Sequence, residues 1–456
     1  MAGNITVLRP ERPDDLDPAS LTRLLSRLAR EHRVPGAQLA VRHQNRTLLA
    51  STGERVHGTG VAVTAEAAFP LASVTKPFTA ALAMVLVADG DVGLDEPLAG
   101  CLPEFGAGRS VTLRQLLTHT GGLVANVEEE SLPRDRWVTR HCGEHQLAHP
   151  PGSGFSYSNA GYVVVGRLVE AVTGMTWREA LEGILLDPLG FTAAYAVGPT
   201  GRTPVSGHAV HWSGRRTIPV DQQVPAVEEP NGALALSAAE LARFAGLFLP
   251  GTDGQGLLEK ATVAEMCRDQ LGDAQIEPYG MASGWGLGWA RYTDPDSDAP
   301  VFGHDGTGDG ISCHLRFQPA TGTVIALNTN AGTGQRLWAD LAGRLADAGL
   351  PGARPQPAAP PASCVPSPPP DAVTGRYING DLVYDIDPDG AGGLQLSIGG
   401  RTHSRLVMGH GLRFTAQEID DARNEFHGRF LPGAAPGEAP LLQLAGRLAR
   451  KWHEKG

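Results

Sequence analysis

Ser73 and Lys76, in the stretch Leu71-Ala72-Ser73-Val74-Thr75-Lys76-Pro77-Phe78, have the types and spacing of a nucleophile and its base. Only four of the 38 basic residues are lysine, at positions 76, 260, 451 and 455; the rest are arginine. Arginine could not replace Lys76 as a proton acceptor, because its pKa stays above about 12. On a helix, positions i and i+3 share a face, so the Lys76 amine can reach the Ser73 hydroxyl. A desolvated, neutral lysine would then take the serine proton. Taken alone, Ser73 would read as a helix N-cap. A helix start also suits catalysis, since its free N–H groups and dipole favour the anion formed during acylation.

Two later segments change the weight. Tyr157-Ser158-Asn159 lies within Pro150-Pro151-Gly152-Ser153-Gly154-Phe155-Ser156-Tyr157-Ser158-Asn159-Ala160-Gly161-Tyr162, and His304-Asp305-Gly306 follows downstream. In order and spacing these resemble the S-x-x-K, S/Y-x-N and K/H-x-G motifs of the active-site-serine penicillin-recognising enzymes. The resemblance runs from about residue 30 to 335. It includes Leu116-Leu117-Thr118-His119-Thr120-Gly121-Gly122-Leu123, Asp187-Pro188-Leu189-Gly190-Phe191 and Gly284-Trp285-Gly286-Leu287-Gly288-Trp289, and it is similar to the class C β-lactamase, esterase and D-aminopeptidase branch. It implies that Tyr157 shares proton traffic with Lys76 and that Asn159 bonds the lysine and a substrate amide. The N–H groups of Ser73 and Thr307 would form the oxyanion hole, with Gly306 at the substrate. Tyr157 could instead be a packed aromatic, Asn159 a turn residue and His304 a core histidine. His304 replaces the lysine usual in β-lactamases, so the cation that holds a β-lactam carboxylate is missing. Trp285 and Trp289 read more readily as core, although their flanking glycines keep open a role in lining the acyl pocket.

The remaining chemistry-bearing types point elsewhere. His141, Cys142, His145 and His149 are ligand types at close spacing but lack paired metal-site logic, and they read as an exposed helix or loop. Serine acyl transfer needs no metal, and no cofactor is expected. With 456 residues, 41% hydrophobic and 19% charged, the chain has apolar content enough for two cores. Its net charge of -11 argues against nucleic acid or an anionic membrane as main partner. The N-terminal residues show no basic start followed by an apolar run, and no apolar stretch is long enough to span a bilayer. Five cysteines at irregular spacing suggest reduced thiols. A cytoplasmic protein is the expectation.

The elements that must hold these residues follow from periodicity. A helix is expected over Ala19–Glu31, with Leu21, Leu24, Leu25 and Leu28 on one face. A hairpin is expected from Gly36–Val41 to Thr47–Ala50, and another from Gly310–Phe317 to Thr323–Asn328. The resemblance joins these early and late strands in one antiparallel sheet with a mostly helical middle. Nine prolines between Pro351 and Pro370 read as a stiff linker over 351–371. It separates a β-lactamase/transpeptidase-like α+β domain, 1–350, from a domain of short strands, 372–456. Strand-like pieces there lie at Gly375–Ile378, Leu382–Ile386, Leu394–Ile398, Leu412–Phe414 and Leu441–Leu444, and predict a small antiparallel barrel or sandwich.

The histidine in the third motif, the missing leader and the single appended β domain look like the penicillin-binding-protein-type thioesterases. These are free-standing cyclases of nonribosomal peptide pathways with a lipocalin-like C-terminal domain. The resemblance implies a peptidyl thioester on a carrier protein, or a small thioester mimic, as partner. Ser73 would be acylated by a D-configured terminal residue, and the peptide's own N-terminus would close the ring. Arg447 would reach the cleft and contact the peptide; alternatively, the final segment is a solvated basic tail. A D-stereospecific peptidase or esterase is the second reading. A catalytically silent peptide-binding protein is the third, and the complete motifs argue against it.

Overall fold

The computed structural model describes residues 16–354 and 371–452, apart from 45, 130, 199–200, 212–215, 252–255, 273–275, 420–424 and 434–437. Most of the proline-rich segment falls outside the described residues. The first helix, Pro18–Glu31, starts at a capping box in which the Asp17 carboxylate accepts from Ala19 and Ser20 N–H. Its Leu21, Leu25 and Leu28 are buried, with Leu24 packed beside them.

Seven antiparallel strands form the central sheet, in the spatial order Arg46–Gly53, Gly36–His43, Thr323–Thr329, Ile311–Gln318, Ser297–Gly308, Ala290–Asp294 and Gly284–Trp285. The chain's first hairpin thus sits beside its last, as the family resemblance implies. One sheet face packs under Pro18–Glu31 and the late helix Gly334–Asp347. The other faces the main core and the helix Thr75–Ala88. That helix is apolar nearly all round, and eleven of its residues are buried, as suits an element enclosed by protein on every side.

The C-terminal residues form a closed barrel of eight antiparallel strands, from Gly375–Asn379 to Arg447–Lys451, whose first and last strands pair. Three of the eight, Arg401–Met408, Glu425–Leu431 and Arg447–Lys451, are absent from the sequence expectation. Their polar–apolar alternation is weak and β-branched types are few, so their strand signal is weak. The final segment closes the barrel and is not a solvated tail. Among the described residues no helix is long and apolar enough to cross a membrane.

Candidate active site

Ser73 lies in a short 3-10 turn, Ala72–Val74, that leads straight into the helix Thr75–Ala88. Ala72, just before it, has φ +44, a left-handed conformation that costs a non-glycine residue and recurs at functional turns. The turn therefore presents the Ser73 side chain at the helix mouth. Lys76, one turn on, places Nζ 3.0 Å from Ser73 Oγ and donates to the Asn231 carbonyl at 3.0 Å. It is fully buried. Desolvation holds its pKa well below the ordinary lysine value, Glu228 opposes this, and the Arg447 cation adds to it.

Tyr157 stands on the approach to the helix Asn159–Thr173, where the Ser158 hydroxyl caps Gly161 N–H at 2.9 Å. Its side chain faces Ser73, and its ring lies 5.1 Å from Lys76 Nζ. Burial pushes the phenol up to about 12, against the Ser73 side chain and the Arg447 charge. The His119 ring lies 4.3 Å from the Tyr157 ring and the Arg447 guanidinium 5.2 Å.

The third motif comes from the strand Ser297–Gly308. From His304 onward this strand is paired only toward Ile311–Gln318, and its other edge runs against the Ser73 turn. Gly306 permits that approach, because a Cβ there would lie 2.0 Å from the Leu71 carbonyl oxygen. Its place is thus a packing contact behind Ser73. Thr307, exposed, follows at the strand's rim. His304 is buried, with Nδ1 2.8 Å from the Asp305 carbonyl oxygen and Nε2 unpartnered. An N–H on Nδ1 pointed at that carbonyl leaves the Nε2 lone pair on the site side. Burial, then the Lys76 charge, brings its pKa down to about 3, so the ring is neutral at working pH.

Asp305 points to the opposite sheet face. Desolvation works against its ionisation, but Arg316 and His314 hold it well below the usual carboxylate range. His314 also reaches Ser312 at 2.8 Å. This serine–histidine–aspartate chain has no access to substrate, since Ser312 is fully buried and His314 stacks on Trp338.

Asn159 does not contact Lys76. Its Nδ2 donates to Asn126 Oδ1 at 2.7 Å, and the lysine's second bond goes to the Asn231 backbone carbonyl instead. Trp285 is also buried, packed against Phe155, His119 and His304. It forms a wall behind the site and offers no open platform. His141, Cys142, His145 and His149 make no ligand cluster among the described residues. Contrary to the expected exposed loop, Cys142 and His149 are buried.

Sequence reasoning missed two contributors. His119, quoted only as part of a resembling stretch, accepts from Ser158 N–H through Nδ1 at 3.1 Å and flanks Tyr157. Burial holds its pKa well below the ordinary histidine value. Gly446 in the barrel accepts from Tyr157 N–H at 2.9 Å. The barrel's last turn, Ala445–Gly446, has positive φ at both residues, the geometry of a tight hairpin turn. It inserts beside the second motif and delivers Arg447, whose Nε is buried without a partner.

The whole arrangement suits acyl transfer: a serine hydroxyl 3.0 Å from a buried amine, with a phenol and a neutral imidazole close by. Comparisons with known proteins agree. A family model described as Beta-lactamase matches residues 21–350. Penicillin-binding protein 4 of Amycolatopsis lactamdurans is 35% identical over 328 residues, covering 69% of this chain and 85% of that protein. The crystal structure of SurE matches with a TM-score of 0.83 and 35% identity over 95% of this chain and 99% of that one; SurE with D-Leu matches at 0.80 and 34%. A D-stereospecific amidohydrolase from Streptomyces sp. matches at 0.57 and 25%, over 71% of this chain and 97% of that one. On its sequence, its sheet-and-helix architecture and its three motifs, this chain belongs to the beta-lactamase family of serine acyltransferases and hydrolases.

Proposed function

We propose that this protein releases a nonribosomal peptide from its carrier-protein thioester and closes it head to tail, with a D-residue at the acyl terminus. Lys76, assisted by Tyr157, takes the Ser73 proton as Ser73 Oγ attacks the thioester carbonyl. The C–S bond breaks, and the leaving thiolate is protonated from the lysine–tyrosine pair. The peptide's own amine then attacks the Ser73 ester. An amide forms, the ester C–O bond breaks, and the amine's proton returns to Ser73 through the same pair. N–H groups of Ser73 and Thr307 stabilise the oxyanion in both steps.

The observation that carries this reading is the barrel's place in the site. Likeness to SurE extends over 95% of this chain, the barrel included, and here the barrel brings Gly446 and Arg447 onto Tyr157. A guanidinium fork suits the carbonyls or carboxylate of a bound peptide. The dry surroundings of Lys76 favour aminolysis over entry of water. Such a function places the protein with its carrier protein in the cytoplasm.

Hydrolysis by a D-stereospecific peptidase or esterase uses the same ester and differs only in the second nucleophile; likeness to the Streptomyces amidohydrolase favours it as the alternative. The test is product analysis by mass spectrometry with matched peptidyl thioester mimics ending in D- or L-residues. Cyclic product from the D-terminated peptide is expected. Linear acid alone from both peptides would overturn the cyclase reading in favour of the hydrolase.

A further inference from the structure

We propose that Asn379, at the end of the barrel's first strand and outside all three motifs, is a positioning residue for Tyr157 and Asn159. The inference rests on the acyl-transfer reading of Ser73 and does not depend on cyclisation. Asn379 is 1% exposed. Its Oδ1 accepts from Ala125 N–H at 2.7 Å, and its Nδ2 donates to the Leu448 carbonyl at 2.6 Å while lying 3.4 Å from Ser156 Oγ. One amide thus ties the barrel's first strand to its last, and both to two loops of the catalytic part.

Each loop leads directly into the site. The Ala125 carbonyl accepts from Asn159 N–H at 2.8 Å, and Asn126 accepts from Asn159 Nδ2 at 2.7 Å. Asn126 is itself bridged to Gly380, the neighbour of Asn379. On the other side, Ser156 Oγ accepts from Leu448 N–H at 3.1 Å, and the next residue, Tyr157, donates its N–H to Gly446. The tyrosine beside Ser73 is therefore held by backbone bonds to a hairpin, and Asn379 fixes where that hairpin lies. A buried amide using both its donor and its acceptor holds one orientation. An apolar replacement of similar size leaves Ala125 N–H and the Leu448 carbonyl unpaired, so both strands are free to shift.

The test uses the full chain and p-nitrophenyl acetate, which needs only the Ser73 machinery. For Asn379→Leu and Ser156→Ala, kcat and KM are measured across pH beside thermal melts. We expect kcat to fall about 10- to 100-fold in Asn379→Leu with KM little changed, the scale of a misplacement of about 1 Å, and less in Ser156→Ala. Water entering beside Lys76 raises its depressed pKa, so the acidic limb of the pH profile should move to higher pH in both variants. A purely structural role would lower the melting temperature and leave the limb of the folded enzyme in place. A folded Asn379→Leu enzyme with wild-type kcat and limb overturns the proposal. If that variant does not fold, a Ser156→Ala enzyme with wild-type limb and kcat does the same. Failure of the acyl-transfer reading has a separate signature: ester turnover would survive removal of Ser73.

Discussion

The roles proposed for Lys76, Tyr157 and His304 depend on protonation states that burial shifts. Desolvation lowers the Lys76 pKa well below the ordinary lysine value, while His304 is brought down to about 3 and Tyr157 pushed up to about 12. Because catalysis needs the neutral amine, kcat/KM for a small ester should rise as pH climbs through the Lys76 pKa and then level off. Neither His304 nor Tyr157 should add a limb near neutrality. Lys76→Arg keeps the charge and loses the base, so it should cost two or more decades in rate, nearly as much as Lys76→Ala. Steady-state kinetics of the two variants checks this. Retention of most activity by Lys76→Arg would make Lys76 a fixed charge and promote Tyr157 to the base.

At the scale of elements, the site depends on how closely the strand Ser297–Gly308 approaches the Ser73 turn. Gly306→Ala would drive a methyl into the Leu71 carbonyl. We expect a stability loss of about 1–3 kcal/mol, the usual range for overpacking, and a fall in small-ester kcat/KM of about 100-fold as the strand and turn separate. Melting and kinetics measured together check both; unchanged kinetics would show that the strand's distance from Ser73 is not critical. The same elements mark what the sequence discloses. The helix at Pro18–Glu31 and the two hairpins of the sheet were legible because their apolar periods are strong. The three barrel strands that escaped, Arg401–Met408, Glu425–Leu431 and Arg447–Lys451, have weak alternation, and their arginines suggest surface instead. At the site, the spacing of Ser73 and Lys76 announced their contact. Backbone partners have no residue signature: the Asn231 carbonyl on Lys76 and the Gly446 carbonyl on Tyr157 could be any residue's, and both are distant in sequence. The lysine bond that the family pattern implies for Asn159 is made by the Asn231 backbone carbonyl, which no residue type announces.

Across the whole molecule, the barrel and the sheet-and-helix part share one active site. The barrel's last turn supplies a backbone carbonyl to Tyr157 and a cation to its ring, and Gln443 and Arg429 make a second seam to Glu277. Arg447 is half-buried beside the Tyr157 ring, and in the proposed function its guanidinium meets the bound peptide. Arg447→Ala should therefore reduce conversion of a peptidyl thioester much more than hydrolysis of p-nitrophenyl acetate. The ratio of the two kcat/KM values is the readout. Equal losses on both substrates would mean that Arg447 serves the chemistry around Tyr157 and not peptide recognition.

All of this requires a covalent ester on Ser73, which the mass of the intact protein reports directly. Wild-type enzyme and Ser73→Ala are mixed with a D-terminated peptidyl thioester mimic and quenched at short times. The wild type should gain the mass of the peptide acyl group, mapping to the peptide that contains Ser73, and then lose it as cyclic product appears. Ser73→Ala, which lacks only the nucleophilic oxygen, should keep its fold and show neither adduct nor product. An adduct that persists on Ser73→Ala, or turnover by that variant, would contradict the assignment of Ser73 as the nucleophile.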